Sequence, residues 1–258
     1  MKMICACATD RGNYREVNQD AVLIRRLRQG EKEFVLGAVF DGIGGLEYGE
    51  IASGTLRTEM NRWYEDVCAW IDLTTMDPEV IFSHFRDQAE LLNEKIRQIR
   101  LMQGIETGST MSATLIIDGL YLVIHVGDSR IYKWKQGFLE CITDDDVIAK
   151  YVEGVQRNYL SNYMGKSDEL IFAEYSGKIQ EGETLLFCSD GFYHQLVERD
   201  LQAIGKVNDE KELETLIKKL IQTMISRGEH DNISAGIIKG NNSIKKRKRI
   251  WKSKSKED

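Results

Sequence analysis

The chain has 258 residues, of which 42% are hydrophobic, and a formal net charge of −6. This length allows one large domain or two small ones, each with a substantial core. The charge is uneven, because segment 240–258 carries eight basic and two acidic residues, which leaves −12 on residues 1–239. An acidic body argues against nucleic-acid binding, which needs basic surfaces, and suits a protein that holds divalent cations.

The sequence carries no signal for membrane insertion, export or a disulfide framework. No apolar run approaches the ~20 residues of a membrane helix, and the opening MKMICACATD lacks the apolar region of a signal peptide. We therefore expect a cytoplasmic protein. The cysteine count is odd and no CxxC motif occurs, so we expect buried free thiols and no zinc site. The cysteines are Cys5, Cys7, Cys68, Cys141 and Cys188.

The first part of the chain is predicted to form three strands and then two helices. MICACATD, DAVLIRRL and EFVLGAVFD are apolar runs typical of strands, with a polar loop between the first two. Apolar residues then recur at helical spacing from about Tyr48 to Trp70. A second helix is predicted to begin at Asp77-Pro78, a capping residue followed by proline, and to end before Gly104.

The remainder is predicted to be mostly strands. Asp118-Gly119 and the segment Lys135–Gly137 separate apolar runs and indicate two hairpin turns. ETLLFCSDGF and NISAGIIK are further strands, and the spacing of apolar residues predicts a helix over Glu210–Arg227. Consecutive strands with few intervening helices favour an α+β fold with antiparallel sheets and helices packed outside them, and not a regular alternation of strands and helices.

Aspartates recur where predicted strands end or begin. Asp41 and Asp190 each terminate an apolar run and precede glycine, Asp128 follows another run, and Asp231 comes just before the last strand. A single Asp-Gly pair is explained by a turn, which is our interpretation of Asp118-Gly119. A cluster of carboxylates, however, repels itself unless protons or cations neutralise it. Oxygen ligands without histidine or cysteine favour magnesium or manganese.

Seven blocks in order make the sequence similar to a known family. They are TDRGNYREVNQDA, VFDGIGGLEYGEIAS, GSTMSATL, HVGDSRIY, ITDDD, FCSDGF and HDNISAGII, and they span nearly the whole chain except the tail. The set resembles the metal-dependent protein phosphatases, the 2C-type serine/threonine phosphatases, in their compact bacterial form. The resemblance implies an α-β-β-α fold, a sandwich of two antiparallel sheets flanked by helices. It also implies a phosphatase domain at 1–239, and the low apolar content of 240–258 predicts a basic, disordered tail.

The resemblance assigns metal-binding roles to the aspartates. Asp41 would bridge two ions of Mn²⁺ or Mg²⁺, Asp190 and Asp231 would complete the site of one, and the Gly42 carbonyl would help to hold the other. Asp128 matches a position linked to a third ion, shared with Asp190. Metal-activated water would then hydrolyse phosphoserine or phosphothreonine. No organic cofactor is implied.

The resemblance also assigns roles near the metals. Arg15 matches the arginine that binds the substrate phosphate, for which a planar bidentate donor is suited. Asp20 and Gln19 would act on metal-bound water, and Asn232 is interpreted as structural. Gln19 is neutral where the family usually has glutamate, so we expect weaker binding of the second ion.

Two further departures bear on activity. Leu46 stands where the family usually has a histidine thought to protonate the leaving group, and leucine transfers no proton. His125, His194 and His230 are interpreted as structural. The stretch between ITDDD and RNYLSNYMG is short, which predicts a reduced flap and a more open site.

Two functions therefore remain open at this point. The first is a monomeric phosphatase that opposes a serine/threonine kinase and acts on its phosphorylated substrates. The alternative is a catalytically weak or inactive scaffold that recognises phosphoproteins, for which Leu46 and Gln19 argue. The basic tail is interpreted as a solvated segment, or as one that contacts an anionic membrane or an acidic partner.

Overall fold

The computed structural model describes residues 1–43, 48–152, 155–166 and 170–241. Five helices occur in these residues: α1 (Gly49–Cys68), α2 (Pro78–Gln103), α3 (Asp190–Tyr193), α4 (Glu198–Lys206) and α5 (Glu210–Ser226). The strands of the first half are β1 (Lys2–Asp10), β2 (Asp20–Gln29), β3 (Lys32–Asp41), β4 (Met111–Ile117), β5 (Leu120–Val126) and β6 (Arg130–Lys135). Those that follow are β7 (Phe138–Cys141), β8 (Val147–Val152), β9 (Val155–Leu160), β10 (Ala173–Lys178), β11 (Thr184–Cys188) and β12 (Ile233–Asn241).

The strands form two five-stranded antiparallel sheets that pack face to face. One has the order β1-β12-β11-β6-β7 and the other β10-β5-β4-β3-β2. Side chains from both sheets share one buried layer, in which Val35 and Val39 of β3 meet Phe187 of β11. Helices α1 and α2 cover the outer face of the second sheet, and α4 and α5 cover that of the first. The predicted α-β-β-α sandwich is confirmed.

Strand β3 shows why its sequence is apolar on both faces. Phe34, Leu36 and Phe40 point toward α1 and α2, whereas Val35 and Val39 point toward the other sheet. Side chains alternate between the faces of a strand, so a strand that is covered on both sides needs apolar residues at every position. The continuous run FVLGAVF is the result.

The predicted helix and turn signals have the expected geometry. The Asp77 carboxylate accepts a hydrogen bond from the Glu79 amide at 3.0 Å, Pro78 is the first helical residue, and Gly104 ends α2 with φ +63°. Asp118 and Gly119 both have positive φ, at 48° and 86°, and join β4 to β5. These are local interactions, which explains why a local sequence pattern was sufficient to predict them.

The strand predicted over ETLLFCSDGF ends at Cys188, because the short helix α3 begins at Asp190. Four further elements were not predicted. Helix α4, strand β10 and the hairpin of β8 and β9 lie in segments without a strong apolar period. Strand β10, AEYSGK, is an edge strand that pairs only with β5 among the described strands, so half of its residues are exposed. The stretch predicted to be a reduced flap contains the β8–β9 hairpin, which forms a two-stranded sheet of its own.

Other predictions concern the termini and the cysteines. Strand β12 continues to Asn241, and the rest of the predicted tail, 242–258, lies outside the described residues. Among the helices of the described residues, none has the length and apolar character needed to cross a membrane. All five cysteines are free, but only Cys5 and Cys188 are buried as expected; Cys7 and Cys68 are half-buried, and Cys141 is exposed. It lies on β7, at the edge of its sheet, where no further strand covers it.

Candidate metal centre

The predicted site residues converge at one end of the sandwich. In the second sheet, Asp41 at the end of β3 pairs in register with Asp20 at the start of β2, and Asp128 follows the end of β5. In the first sheet, Asp190 follows the end of β11, and Asp231 precedes the start of β12. Antiparallel neighbours bring the end of one strand beside the start of the next, which explains why residues distant in sequence meet here.

The carboxylates of this cluster raise one another's pKa values. Burial raises the pKa of Asp41 well above its usual range, and the charges of Asp20, Asp190, Asp128 and Asp231 raise it further. Burial is also the main cause that raises the pKa of Asp20 to about 7 and that of Asp128 to about 6. The pKa of Asp190 is raised by burial and by Asp231. A site that disfavours ionised carboxylates in this way gains stability when cations neutralise them.

The backbone of Asp41 is held firmly, whereas its carboxylate is left without a donor. The Asp41 amide donates to Thr110 Oγ1 at 3.0 Å, and the Asp41 carbonyl accepts from the Thr110 amide at 2.8 Å and from Ser109 Oγ at 3.0 Å. No described residue donates a hydrogen bond to its carboxylate oxygens. A half-buried carboxylate that accepts no hydrogen bond from a described donor is suited to a metal ion.

The donor set fits hard divalent cations, because the candidate ligands are carboxylate and carbonyl oxygens. Within the described ranges, no three Asp, Glu, His or Cys side chains lie close enough to form a ready metal cage. The reason at one position is visible, because the Asp231 carboxylate is engaged by Arg15, with Nη2 2.6 Å from Oδ2. Arg15 contacts Asp231 Oδ2, so a cation that binds this oxygen would compete with the guanidinium.

Glycine is required at position 42 by close backbone packing. The Gly42 amide donates to the Gln19 carbonyl at 3.0 Å. A Cβ atom at Gly42 would lie 2.5 Å from the Gly49 carbonyl oxygen and 2.6 Å from that of Gln19, closer than atoms approach. Gly42, whose carbonyl is a predicted metal ligand, is thus packed between Gln19, just before β2, and Gly49, the first residue of α1.

The predicted second-sphere residues lie behind the cluster. Asp20 is buried and accepts a hydrogen bond from Ser189 Oγ at 2.8 Å, so it is tied to the residue that precedes Asp190. Asn232 has the predicted structural role, because its Oδ1 accepts from the Gln19 amide at 2.8 Å and its Nδ2 donates to the carbonyls of Arg11 and Val17. It thereby fastens the loop that carries Arg15 to the start of β12.

The histidines differ in their surroundings. His125 is fully buried between Ser112 Oγ and the Asp144 carbonyl, a structural position, and burial lowers its pKa. His194 lies half-exposed with Nδ1 3.9 Å from Glu229 Oε2. The His230 ring is exposed and packs against Tyr14, with centroids 3.9 Å apart. Leu46, the position of the missing family histidine, lies outside the described residues.

Sequence reasoning missed three residues that support the site. Glu50 accepts a hydrogen bond from Gln19 Nε2 at 3.0 Å, and the buried Glu229 accepts from the amides of His230 and Asp231. Arg130 binds Asp145 through two hydrogen bonds of 2.8 and 2.7 Å and lies over the Tyr193 ring at 3.9 Å. Only Arg130 had a signal, as part of the GDSR block; the two glutamates act through contacts that no local pattern reveals.

Comparison with known proteins agrees with this architecture. The Streptococcus agalactiae serine/threonine phosphatase superposes with a TM-score of 0.72 at 24% identity, over 92% of this chain and 99% of that one. The Mycobacterium tuberculosis serine/threonine phosphatase PstP/Ppp gives a TM-score of 0.72 at 23% identity, over 93% and 99%. At this level of identity, the two structures establish the fold.

Sequence relatives and a family model carry the assignment further. Protein phosphatase PhpP of Streptococcus pneumoniae is 25% identical over 246 residues, 90% of this chain and 96% of that protein. Serine/threonine phosphatase stp of Listeria monocytogenes is 23% identical over 89% of this chain and 93% of that protein. The model of the protein phosphatase 2C family matches residues 12–234. Because that match covers most of the chain, the protein belongs to the protein phosphatase 2C family.

Proposed function

We propose that the protein is a metal-dependent phosphatase that hydrolyses phosphoserine and phosphothreonine in proteins. The observation that carries the proposal is the convergence of four aspartates at one end of the sandwich: Asp41, Asp128, Asp190 and Asp231. The charges of the other three each raise the pKa of Asp41. Relatives that are named protein phosphatase and serine/threonine phosphatase support the same substrate class.

In this proposal, the candidate ligands serve different ions. Asp41, Asp190 and Asp231 would hold one Mn²⁺ or Mg²⁺ ion, and Asp41 with the Gly42 carbonyl would hold a second. Asp128, with Asp190, would hold a third. Bound divalent ions supply a nucleophilic water at neutral pH and stabilise charge on the phosphoryl oxygens. Asp20, fixed by Ser189, would accept a proton or a hydrogen bond from that water.

Arg15 would bind the phosphate of the substrate. Its side chain is 43% exposed beside Asp231, so it is accessible to a ligand and close to the cluster. A guanidinium presents two parallel donors to a phosphate, which orients the phosphorus toward the nucleophile. No nucleophilic cysteine is required, and burial raises the pKa of the Cys188 thiol well above its usual range, which keeps it unreactive.

The test is hydrolysis of a phosphothreonine peptide and of an aryl phosphate by the purified protein in EDTA, Mg²⁺ and Mn²⁺, with Asp190→Asn as the control. We expect metal-dependent release from both substrates and its loss in the variant. Cleavage of the aryl phosphate alone would assign the defect to Leu46, because alkyl leaving groups depend more on a proton donor. No turnover of either, with metal binding retained, would favour the scaffold alternative for which the neutral Gln19 argues.

The wider setting is proposed from composition and family. We propose a phosphatase domain at 1–239, a monomeric cytoplasmic protein, and substrates phosphorylated by a serine/threonine kinase. The basic residues of 240–258 suit an anionic membrane or an acidic partner. Light scattering tests the monomer, and sedimentation with anionic vesicles, with and without residues 242–258, tests the tail.

A further inference from the structure

Gln19 lies at the junction between the two halves of the candidate centre. Its amide donates to Asn232 Oδ1 at 2.8 Å, and its carbonyl accepts from the Gly42 amide at 3.0 Å. The backbone of Gln19 is therefore fixed between the segment of Asp231 and the segment of Asp41. Its side chain turns toward α1, where Nε2 donates to Glu50 Oε2 at 3.0 Å.

The start of α1 is packed directly on the Gly42 carbonyl group. A Cβ atom at Gly49 would lie 2.8 Å from the Gly42 carbonyl carbon and 3.1 Å from Gln19 Cδ. Glu50 is the next residue, and its carboxylate is partly buried against the Gln19 amide. Helix α1 thus delivers a carboxylate to the side of the centre on which Gly42 lies.

Without Glu50, the side of the centre at Gly42 would have fewer charged ligands than the side at Asp190 and Asp231. The side of Asp190 and Asp231 has two carboxylates of its own in addition to the shared Asp41. Among the described residues, the candidate ligands on the side of Gly42 are the shared Asp41 and neutral oxygens, because Gln19 carries no charge and the Asp20 carboxylate accepts a hydrogen bond from Ser189. A divalent ion held there by one shared carboxylate would be weakly bound, since oxygen sites bind more tightly as the number of charged ligands rises.

No other role in the described structure explains the charge of Glu50. Among the residues that the structure describes, no lysine or arginine forms an ion pair with it. An acidic residue in the first turn of a helix gains only a modest interaction with the helix dipole, about 0.3–1 kcal/mol. That interaction does not explain why the side-chain amide of Gln19 is held against the Glu50 carboxylate.

We propose that Glu50 supplies the negative charge for the ion held at Gly42, acting directly or through bound water, and that Gln19 positions the Glu50 carboxylate. The family usually has a glutamate at position 19. In this chain, position 19 would hold the neutral amide and position 50 would hold the charge. This inference rests on the proposed metal-dependent function and deepens it.

The test measures Mn²⁺ binding by calorimetry on metal-free protein, so that it does not depend on activity. Glu50→Gln is compared with the transposed double variant Gln19→Glu/Glu50→Gln. The matched control is Glu65→Gln, which alters the Asn61–Glu65 pair, another amide–carboxylate contact of 2.9 Å on α1. We expect Glu50→Gln to weaken the weaker Mn²⁺ site about tenfold or more, the transposed variant to recover most of that loss, and the control to bind as the wild type.

Thermal unfolding in EDTA and in Mn²⁺ separates metal binding from a structural role. A metal-binding role requires that Glu50→Gln reduce the rise in melting temperature that Mn²⁺ produces. A structural role would lower the melting temperature equally in both conditions, without recovery in the transposed variant, and would overturn the inference. Unchanged Mn²⁺ affinity in Glu50→Gln would overturn this inference but not the proposed function. No Mn²⁺ binding by the wild type would overturn both.

Discussion

Arg15 and Asp231 lie 216 residues apart in sequence, yet Arg15 Nη2 lies 2.6 Å from Asp231 Oδ2. The predicted phosphate-binding residue and a predicted metal ligand thus form an ion pair. Both side chains remain partly exposed, at 43% and 35%, so the pair can be separated at modest cost. A cation that binds Asp231 would release Arg15 for the substrate.

Arg15→Ala should therefore change metal and substrate binding in opposite directions. Removal of a competing cation should raise the Mn²⁺ affinity of the site that contains Asp231, and loss of the phosphate donor should lower kcat/KM about 10²-fold. Calorimetry and steady-state kinetics measure the two effects. Arg62→Ala, on the exposed face of α1, is the control and should change neither. A weaker Mn²⁺ affinity in Arg15→Ala would contradict the exchange.

Glu229→Ala should disturb Asp231 without touching the cluster directly. Glu229 Oε1 accepts from the amides of His230 at 2.9 Å and Asp231 at 3.1 Å, and the residue is buried. Loss of this acceptor leaves two amides unsatisfied, which should lower the free energy of unfolding by about 1–3 kcal/mol and weaken Mn²⁺ binding. Glu229→Gln keeps an acceptor oxygen and should retain more of both, as measured by urea unfolding and calorimetry. Equal effects of the two variants would count against a positioning role.

The metal-free protein should lose stability as pH rises from 5 to 8. The raised pKa values of Asp128, about 6, and Asp20, about 7, mean that the folded state retains protons that the unfolded chain has released. The contribution of these groups is therefore complete at low pH, below their unfolded pKa of about 4, and is lost as pH rises through about 6 and 7. One pKa unit corresponds to about 1.4 kcal/mol, so the loss should be on the order of a few kcal/mol.

Urea unfolding in EDTA at several pH values measures this effect. Asp20→Asn should flatten the dependence, whereas Asp118→Asn, in the β4–β5 turn, should leave it unchanged. Addition of Mn²⁺ at pH 8 should restore stability, because the cation replaces the protons. If the difference in stability between the metal-free wild type and Asp20→Asn were the same at pH 8 as at pH 5, the raised pKa of Asp20 would be contradicted.

Two glycine-to-alanine substitutions should have effects of opposite sign. The Phe187 ring lies between the sheets, and a Cβ atom at Gly236 would come within 2.1 Å of Phe187 Cζ. Gly236→Ala should therefore lower the free energy of unfolding by about 1–3 kcal/mol. At Gly54, in the middle of α1, a Cβ atom would meet nothing within 4 Å, so Gly54→Ala should raise it by about 0.5–1 kcal/mol. Urea unfolding of both variants tests the packing, and a stabilised Gly236→Ala would contradict it.

Much of the fold followed from local patterns in the sequence. The bounds of α2 were marked by Asp77-Pro78 and Gly104, and the β4–β5 turn by Asp118-Gly119, because caps and tight turns depend on neighbours along the chain. The strand that ends at Asp41 could be located from its apolar run. The ordered motifs then indicated the family, which the family model supports, and the candidate ligands, which stay a prediction.

The remaining features depend on which distant segments pack together. The edge strand β10 has too weak an apolar pattern to be predicted, and is defined by its pairing with β5. Glu50 and Glu229 are surface-type residues in sequence, and only the packing of α1 against Gly42 and of the 229–232 loop against α3 brings them to the centre. The sequence by itself determined helices α1, α2 and α5, two hairpin turns, the strand-end aspartates and the family, because each is encoded in local spacing or in ordered motifs. Tertiary structure alone decided which charges meet at the site, because a contact such as Arg15–Asp231 exists only after the two sheets have brought their strand ends together.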